Sequence, residues 1–265
     1  MNYRINKNLL SKNNAKTIKG EKMGITTYIM YLSPYTQNSK GINLCSHASE
    51  GCAKSCLFNS GAARFEAVQG GKLNKTEWFL ANRNEFMFYL DKQIGNIYKA
   101  TKGKNIAIRL NGTSDIRFEK IKVRDNKNIF ELYPEIQFYD YTKNWLRFDI
   151  ELPSNYHLTF SRSEDNHNKA IELLNRGINV AMVFDSVPST YEGFEVINGD
   201  ETDLRFKDKK GGVIVGLRYK KATGKGGREK NISALSSDFI IKLTNVMDKY
   251  NKIVKAVKKK SLSYI

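Results

Sequence analysis

Short, continuously apolar runs alternate with segments of helical periodicity along most of the chain. The runs are TTYIMYL (Thr26 to Leu32), IAIRL (Ile106 to Leu110), IQFYDY (Ile136 to Tyr141), YHLTFS (Tyr156 to Ser161), INVAMVF (Ile178 to Phe184), FEVI (Phe194 to Ile197) and GVIVGLR (Gly212 to Arg218). Most lack an in-and-out alternation of polarity, as expected of strands in a parallel sheet covered on both faces. Between them, NKTEWFLANRNEFMFYLDKQIGNIYKA places Trp78, Phe79, Asn82, Phe86, Tyr89, Leu90 and Ile97 near helical spacing, which predicts one long helix. NHNKAIELLNRG ends at Gly177, where a C-terminal helix cap would sit. Phe239 to Lys258 reads as an amphipathic helix, so that 239–265 forms a C-terminal helical segment. Alternating β and α units predict an α/β fold with a parallel sheet. With 265 residues, no internal repeat and no low-complexity linker, one domain over 1–265 is expected, with 1–24 as an N-terminal extension.

Parallel α/β folds bind ligands at the carboxyl ends of their strands, so the residues just after each run matter most. They are NGTSD (Asn111 to Asp115), TKN (Thr142 to Asn144), SRSEDN (Ser161 to Asn166), DS (Asp185, Ser186), NGDETD (Asn198 to Asp203) and RYKK (Arg218 to Lys221). Every end carries hydrogen-bonding or charged groups. Loops are polar in any protein, and Asn-Gly is ordinary turn chemistry. Convergence on one rim would nevertheless build a polar, ligand-sized site, with Lys143, Arg162, Asp200 and Arg218 as candidate substrate-binding groups.

All three cysteines lie in CSHASEGCAKSC, at Cys45, Cys52 and Cys56. Three clustered thiols do not make a paired disulfide framework, and in a reducing compartment they remain free to bind metal. Structural zinc wants four ligands, commonly from two separated pairs; no second pair exists, although His47 inside the loop could complete a Cys3His set. Three thiolates without a fourth cysteine suit a [4Fe-4S] cluster whose fourth iron is open or taken by another group, and this is the preferred reading. A nucleophilic cysteine is less attractive, because the histidines, His47, His157 and His167, show no pairing in sequence.

The opening segment lacks an apolar run of signal-peptide type, and no stretch has the ~18 consecutive apolar residues of a membrane span, so a soluble, cytoplasmic protein without membrane contact is expected. The 44 Lys and Arg against 27 Asp and Glu give a formal charge of +17, enough to attract polyanions. Nucleic acid is the obvious candidate, through KKATGKGGREK (Lys220 to Lys230, including Lys221, Lys225 and Arg228) more than KYNKIVKAVKKK (Lys249 to Lys260). Scattered solubilising lysines in a Lys-, Asn- and Ile-rich composition are the plainer explanation.

The series NAKT (Asn14 to Thr17), the cysteine loop continuing into CLFNSGAAR (Cys56 to Arg64), RLNGTSDI (Arg109 to Ile116), YDYTKN (Tyr139 to Asn144), LTFSRSEDN (Leu158 to Asn166) and VINGDETDLRFKDKKGGVIVGLRYK (Val196 to Lys220) resembles the phage-encoded gene product 88 family. That family resembles radical S-adenosylmethionine (radical SAM) proteins in its three-cysteine loop after the first strand of a partial parallel (β/α) barrel. The resemblance implies that fold, a cluster held by the three cysteines and, if phage-encoded, the host cytoplasm. The usual C-x3-C-x2-C spacing is absent, however, and NGTSD stands where a GGE-like segment would hold the cofactor amino group. Asn111 and Ser114 could do similar cofactor-binding work, whereas Asp115 could ligate the fourth iron and shut S-adenosylmethionine out. Alternatively Asp115 caps a helix starting near Phe118. Asp200 and Asp203 are expected to meet Arg205 or Arg218. The favoured function is thus an iron–sulfur protein without S-adenosylmethionine chemistry, whose basic surface engages nucleic acid or a host protein; the alternative is a radical SAM-type enzyme.

Overall fold

Seven of the apolar runs line up as one sheet. The computed structural model describes residues 3–5, 8–12, 17–56, 63, 65–222 and 227–243. In chain order the elements are β1 (Leu10–Ser11), α1 (Thr17–Glu21), β2 (Thr26–Met30), α2 (Glu50–Lys54), α3 (Glu66–Ala81), α4 (Arg83–Thr101), β3 (Ile106–Arg109), β4 (Lys122–Arg124), β5 (Lys127–Asn128), α5 (Ile129–Leu132), β6 (Gln137–Thr142), β7 (Tyr156–Ser161), α6 (His167–Asn175), β8 (Val180–Phe184), β9 (Thr190–Tyr191), β10 (Phe194–Asn198), β11 (Ile214–Arg218), α7 (Gly227–Ser236) and β12 (Ile240–Ile241). The predicted strands β2, β3, β6, β7, β8, β11 and β10 stand side by side in that order, all parallel.

The sheet is mixed rather than wholly parallel, because β1 joins β2 and β9 joins β10 in antiparallel fashion. It forms no closed barrel: β1 and β9 are its two ends. The segment 199–208 instead ties its flanks together. Lys19 of α1 donates to the Asp200 carbonyl, Arg109 of β3 meets Asp203 at 3.1 Å, and Leu204 comes within 3.4 Å of the Cβ position of Gly20.

Three expectations need correction. The N-terminal stretch is not wholly an extension, since Leu10 and Ser11 pair with Met30 and Ile29. The long predicted helix is two, α3 and α4, broken at Asn82, whose φ of −144° leaves the helical range. Its side chain accepts from the Glu85 N–H, so Asn82 acts as an N-cap rather than a core-facing residue. The segment read as the start of a C-terminal helix opens with β12, whose Ile240 and Ile241 pair with Val183 and Phe184; residues 244–265 lie outside the described residues.

The β12 position has a geometric cause. On one edge of β8, β11 runs the full length from Val180 to Phe184. On the other, β7 reaches only Val180 and Ala181, so backbone groups farther along are unpaired until β12 takes them. A main apolar core packs Trp78, Phe79, Phe86 and Leu90 of the helices against Ile106, Ile108 and Phe138 of the sheet. A second packs Leu173 and Leu174 of α6 against Val180, Met182 and Ile214. Together they set the sheet rigidly beneath the loops at its carboxyl ends. No helix among the described residues is long and apolar enough to cross a membrane.

Candidate functional site

Those loops enclose a cavity of about 520 Å³. Five of the six strand ends singled out in the sequence contribute: 111–115, Thr142 and Lys143, Ser161, residues 199, 200, 202 and 203, and 218–220. The sixth does not, because the Asp185 carboxylate folds back onto the N–H groups of Ser186 and Leu243. Cys45, Cys52 and Cys56 line one side of the cavity, Arg109, Tyr141 and Asp203 its interior, and Lys19, Asp200, Arg218 and Lys220 the side formed by α1 and the ends of β10 and β11.

The cysteine loop is held from across the sheet. Ser49 caps α2 by accepting the Cys52 N–H, while its own hydroxyl donates to Glu164 at 2.7 Å. Glu164 also accepts the Gly51 N–H at 2.6 Å, and a Cβ on Gly51 would stand 2.5 Å from that carboxylate. Glycine is therefore the residue that lets the α2 N-terminus approach Glu164. This clamp was missed in the sequence, where SRSEDN drew attention to Arg162 instead.

Burial and a neighbouring lysine set the electrostatics on the cysteine side. Burial, then the neighbouring Cys56 and Cys52, push the Cys45 thiol up to about 12, so by itself it stays protonated at neutral pH. Its Sγ donates to the Thr113 carbonyl at 3.5 Å. Lys143 stands beside Cys52 and Cys45; burial works against its ammonium, but those sulfurs and Asp115 outweigh that cost and raise its pKa. Its Nζ donates to Ser161 Oγ at 3.0 Å. Ser55 lies between Cys52 and Cys56 in sequence and lines the same cavity, and its buried hydroxyl has no hydrogen-bond partner among the described residues. No set of three or more His, Cys, Asp or Glu side chains among the described residues stands ready to hold a metal ion.

The other predicted residues occupy mixed positions. Asp115 lines the cavity, yet one carboxylate oxygen accepts Thr142 Oγ1 and the Lys143 N–H, and the other accepts Arg147. It does not cap the turn at Phe118–Lys120, whose N-cap is Arg117. Asn111 spends its side chain locally: Nδ2 donates to the Ile116 carbonyl and Asp140, while Oδ1 accepts Ser114 Oγ and the Ile116 N–H. These bonds shape the loop from within. Arg162 does not line the cavity; Nη1 donates to the carbonyls of Asp238 and Phe239 and so docks the approach to β12.

Asp200 accepts the Arg218 N–H at 3.0 Å and Lys220 Nζ at 2.8 Å. Burial opposes its charge, but Lys220 and that N–H prevail and hold its pKa below the ordinary value. The Asp203 carboxylate takes Arg109, Tyr139 and Tyr141, which face the same side of the sheet, while its backbone carbonyl accepts the Arg205 N–H at 2.9 Å. Arg205 instead pairs with Asp208 at 3.1 Å. The His47 ring stands nearly perpendicular to that of Trp145, with centroids 5.9 Å apart, and does not line the cavity. Of the basic stretch around Lys220, Lys221 and Arg228 are exposed, while Lys225 and all of 249–260 lie outside the described residues.

A family model described as gene product 88 matches residues 8–242. No curated protein and no solved structure matches the chain.

Proposed function

The chain belongs to the gene product 88 family, and from that premise we propose that it is an iron–sulfur protein whose [4Fe-4S] cluster is held by Cys45, Cys52 and Cys56 beside a ligand cavity. The observation that carries the reading is the gathering of all three thiols on the wall of one cavity together with an ammonium group, Lys143, and a hydroxyl, Ser55, that has no hydrogen-bond partner among the described residues. The donor chemistry fits: three thiolates bring three negative charges, a cluster supplies the compensating irons, and a nearby N–H or O–H donor tunes its potential. A cluster spreads its thiolates over separate irons, so it does not need the close chelate that a single zinc ion does. When bound, such a cluster supplies one-electron exchange and an iron able to take a further ligand.

Within this reading the protein's own groups have definite tasks. Glu164 fixes α2, and hence Cys52, through Ser49 and Gly51. Lys143 offsets sulfur charge. Asp115, with three donors on it, orients the turn that presents Lys143. Asn111 and Ser114 hold loop 111–115 in shape, so S-adenosylmethionine binding is not part of the proposal. The basic surface is proposed to engage nucleic acid, which steeply salt-dependent binding would support.

Anaerobic preparation after iron-replete growth tests the cluster. Brown protein with matched iron and sulfide, bleached by Ser at any of the three cysteine positions, is the expected result. Stoichiometric zinc without iron would refute it.

A further inference from the structure

We propose that the cavity takes a nucleotide, free or at the end of a single strand, with its base in the aromatic-lined interior and its phosphate on Arg218 and Lys220. The ligand side of the function above is thereby given a chemical class, and the inference rests on the same cavity.

Three observations converge. The first is the lining. Tyr141, Tyr219 and Phe239 present rings, and Leu217, Val183, Pro34 and Ala48 add apolar wall, while the volume of about 520 Å³ suits one small molecule. Flat apolar rings stack on such surfaces with little sequence preference. Arg109 covers Tyr141 at 4.7 Å and is itself anchored by Asp203, so that platform is fixed before any ligand arrives.

The second is the charge. Lys19, Arg109, Lys143, Arg218 and Lys220 line the cavity against three carboxylates, and the Asp115 carboxylate is already paired with Arg147 from outside it. Arg109 is taken by Asp203, Lys220 by the Asp200 carboxylate, and Lys19 donates to the Asp200 backbone carbonyl. The backbone N–H of Arg218 is bound to Asp200, while no ion pair of its guanidinium is found among the described residues. The planar fork of a guanidinium matches two oxygens of a phosphate in a bidentate pair.

The third is position. Asp200, Arg218 and Lys220 also line a second, shallower hollow with Val187, Pro188, Ser189, Val196 and Asn198. The phosphate-holding groups therefore border two hollows. A group that fills the cavity can leave its phosphate between them, and a strand continuing from that phosphate would run over the second hollow.

The test is calorimetric titration with adenosine 5′-monophosphate, adenosine and inorganic phosphate, on iron-free protein and on anaerobically prepared protein. AMP should bind more tightly than adenosine or phosphate. Arg218→Gln with Lys220→Gln should weaken AMP about tenfold or more and leave adenosine unchanged. Leu217→Trp, which fills the cavity without touching a charge, should abolish AMP and adenosine binding alike. A decamer of deoxyadenosine with a 5′-phosphate separates the sources: tighter binding than AMP assigns a strand end, equal or weaker binding assigns the free nucleotide. Absence of AMP binding, or AMP binding indifferent to both variants, overturns the inference. Brown protein that ignores AMP would remove the nucleotide and keep the cluster, whereas AMP binding to protein that never takes up iron would do the reverse.

Discussion

Replacing Glu164 with Ala should release the cysteine loop without unfolding the sheet. The carboxylate accepts two hydrogen bonds, from Ser49 Oγ at 2.7 Å and the Gly51 N–H at 2.6 Å. Bonds to a charged acceptor contribute about 1.5–3 kcal/mol each when neither group has water as a ready substitute. Glu164 is half-buried, while Ser49 and Gly51 are buried, so the lower end of the summed value, about 3 kcal/mol, is expected. Helix α2 has only five residues and cannot hold itself together, so the loss falls on local opening rather than on global unfolding. A change of about 3 kcal/mol raises the open population roughly a hundredfold. The assay is maleimide labelling of Cys52 and Cys56 in iron-free protein under native conditions, where the rate follows the open population when reclosing is fast. Labelling about a hundred times faster, with a much smaller change in the global denaturation midpoint, is the expected result. A rate within about threefold of the unaltered protein would refute the clamp. Glu164→Gln keeps one acceptor for the Gly51 N–H and should fall between the two.

Arg147 is fully buried and meets Asp115 at 3.1 Å and Glu119 at 2.8 Å; Arg147→Met strips the Asp115 carboxylate of this ion pair and leaves Glu119 only Arg117 at 3.2 Å, and should cost about 3–5 kcal/mol in urea denaturation. A loss under about 1 kcal/mol would show that the pair is not structural. Burial, reinforced by Lys210 and Arg205, lowers the His157 pKa from 6.5 to about 4; NMR should show its ring titrating there, and a midpoint near 6.5 would contradict the burial. Because the unfolded chain takes up this proton first, the contribution of His157 to stability is complete above pH 6.5 and declines as the pH falls toward about 4. In Gly112→Ala the new Cβ would stand 2.6 Å from the Met30 carbonyl oxygen and 2.6 Å from Tyr31 Cδ1, so thermal stability should drop by about 1–3 kcal/mol; an unchanged melting temperature would mean that loop 111–115 shifts freely.

What the sequence disclosed, and what it hid, follow from the range of the interactions. Most of the seven main strands are legible because they are apolar on both faces, a property written in consecutive residues. Asn82 misled because its spacing matches the core face, while the capping bond to Glu85 depends on a backbone angle rather than on a pattern. β12 is illegible for a stronger reason: two isoleucines become a strand only because β7 ends its pairing with β8 at Ala181, some sixty positions earlier in the chain. The convergence of the thiols was readable from their confinement to one loop. Glu164 was not, since nothing local tells which polar residue of SRSEDN turns toward α2. Arg109 left a signal that went unused: an arginine inside an otherwise apolar run must find a buried acid, and it finds Asp203 from 94 positions away.

Where the charge sits decides how the binding proposals can be separated from the fold. Arg109, Arg147 and Arg205 are buried and paired with Asp203, with Asp115 and Glu119, and with Asp208. Pairs of this kind lie beyond the reach of counterions, so added salt screens them little. Their three guanidiniums face four carboxylates, so these pairs hold no positive excess and the +17 belongs to groups outside them, among them exposed Lys22, Lys40, Lys221 and Arg228. Arg218 and Lys220 stand at the junction, open to solvent on one side and to the cavity on the other. A salt series therefore sorts the contributions. Fold stability held by the buried pairs should change little between low and moderate salt, whereas binding of a phosphate that displaces counterions from Arg218 and Lys220 should weaken steadily over the same range. Binding that shared the salt indifference of the fold would place the phosphate deeper, against Arg109 and Lys143, and would move the proposed anchor to the cysteine side of the cavity.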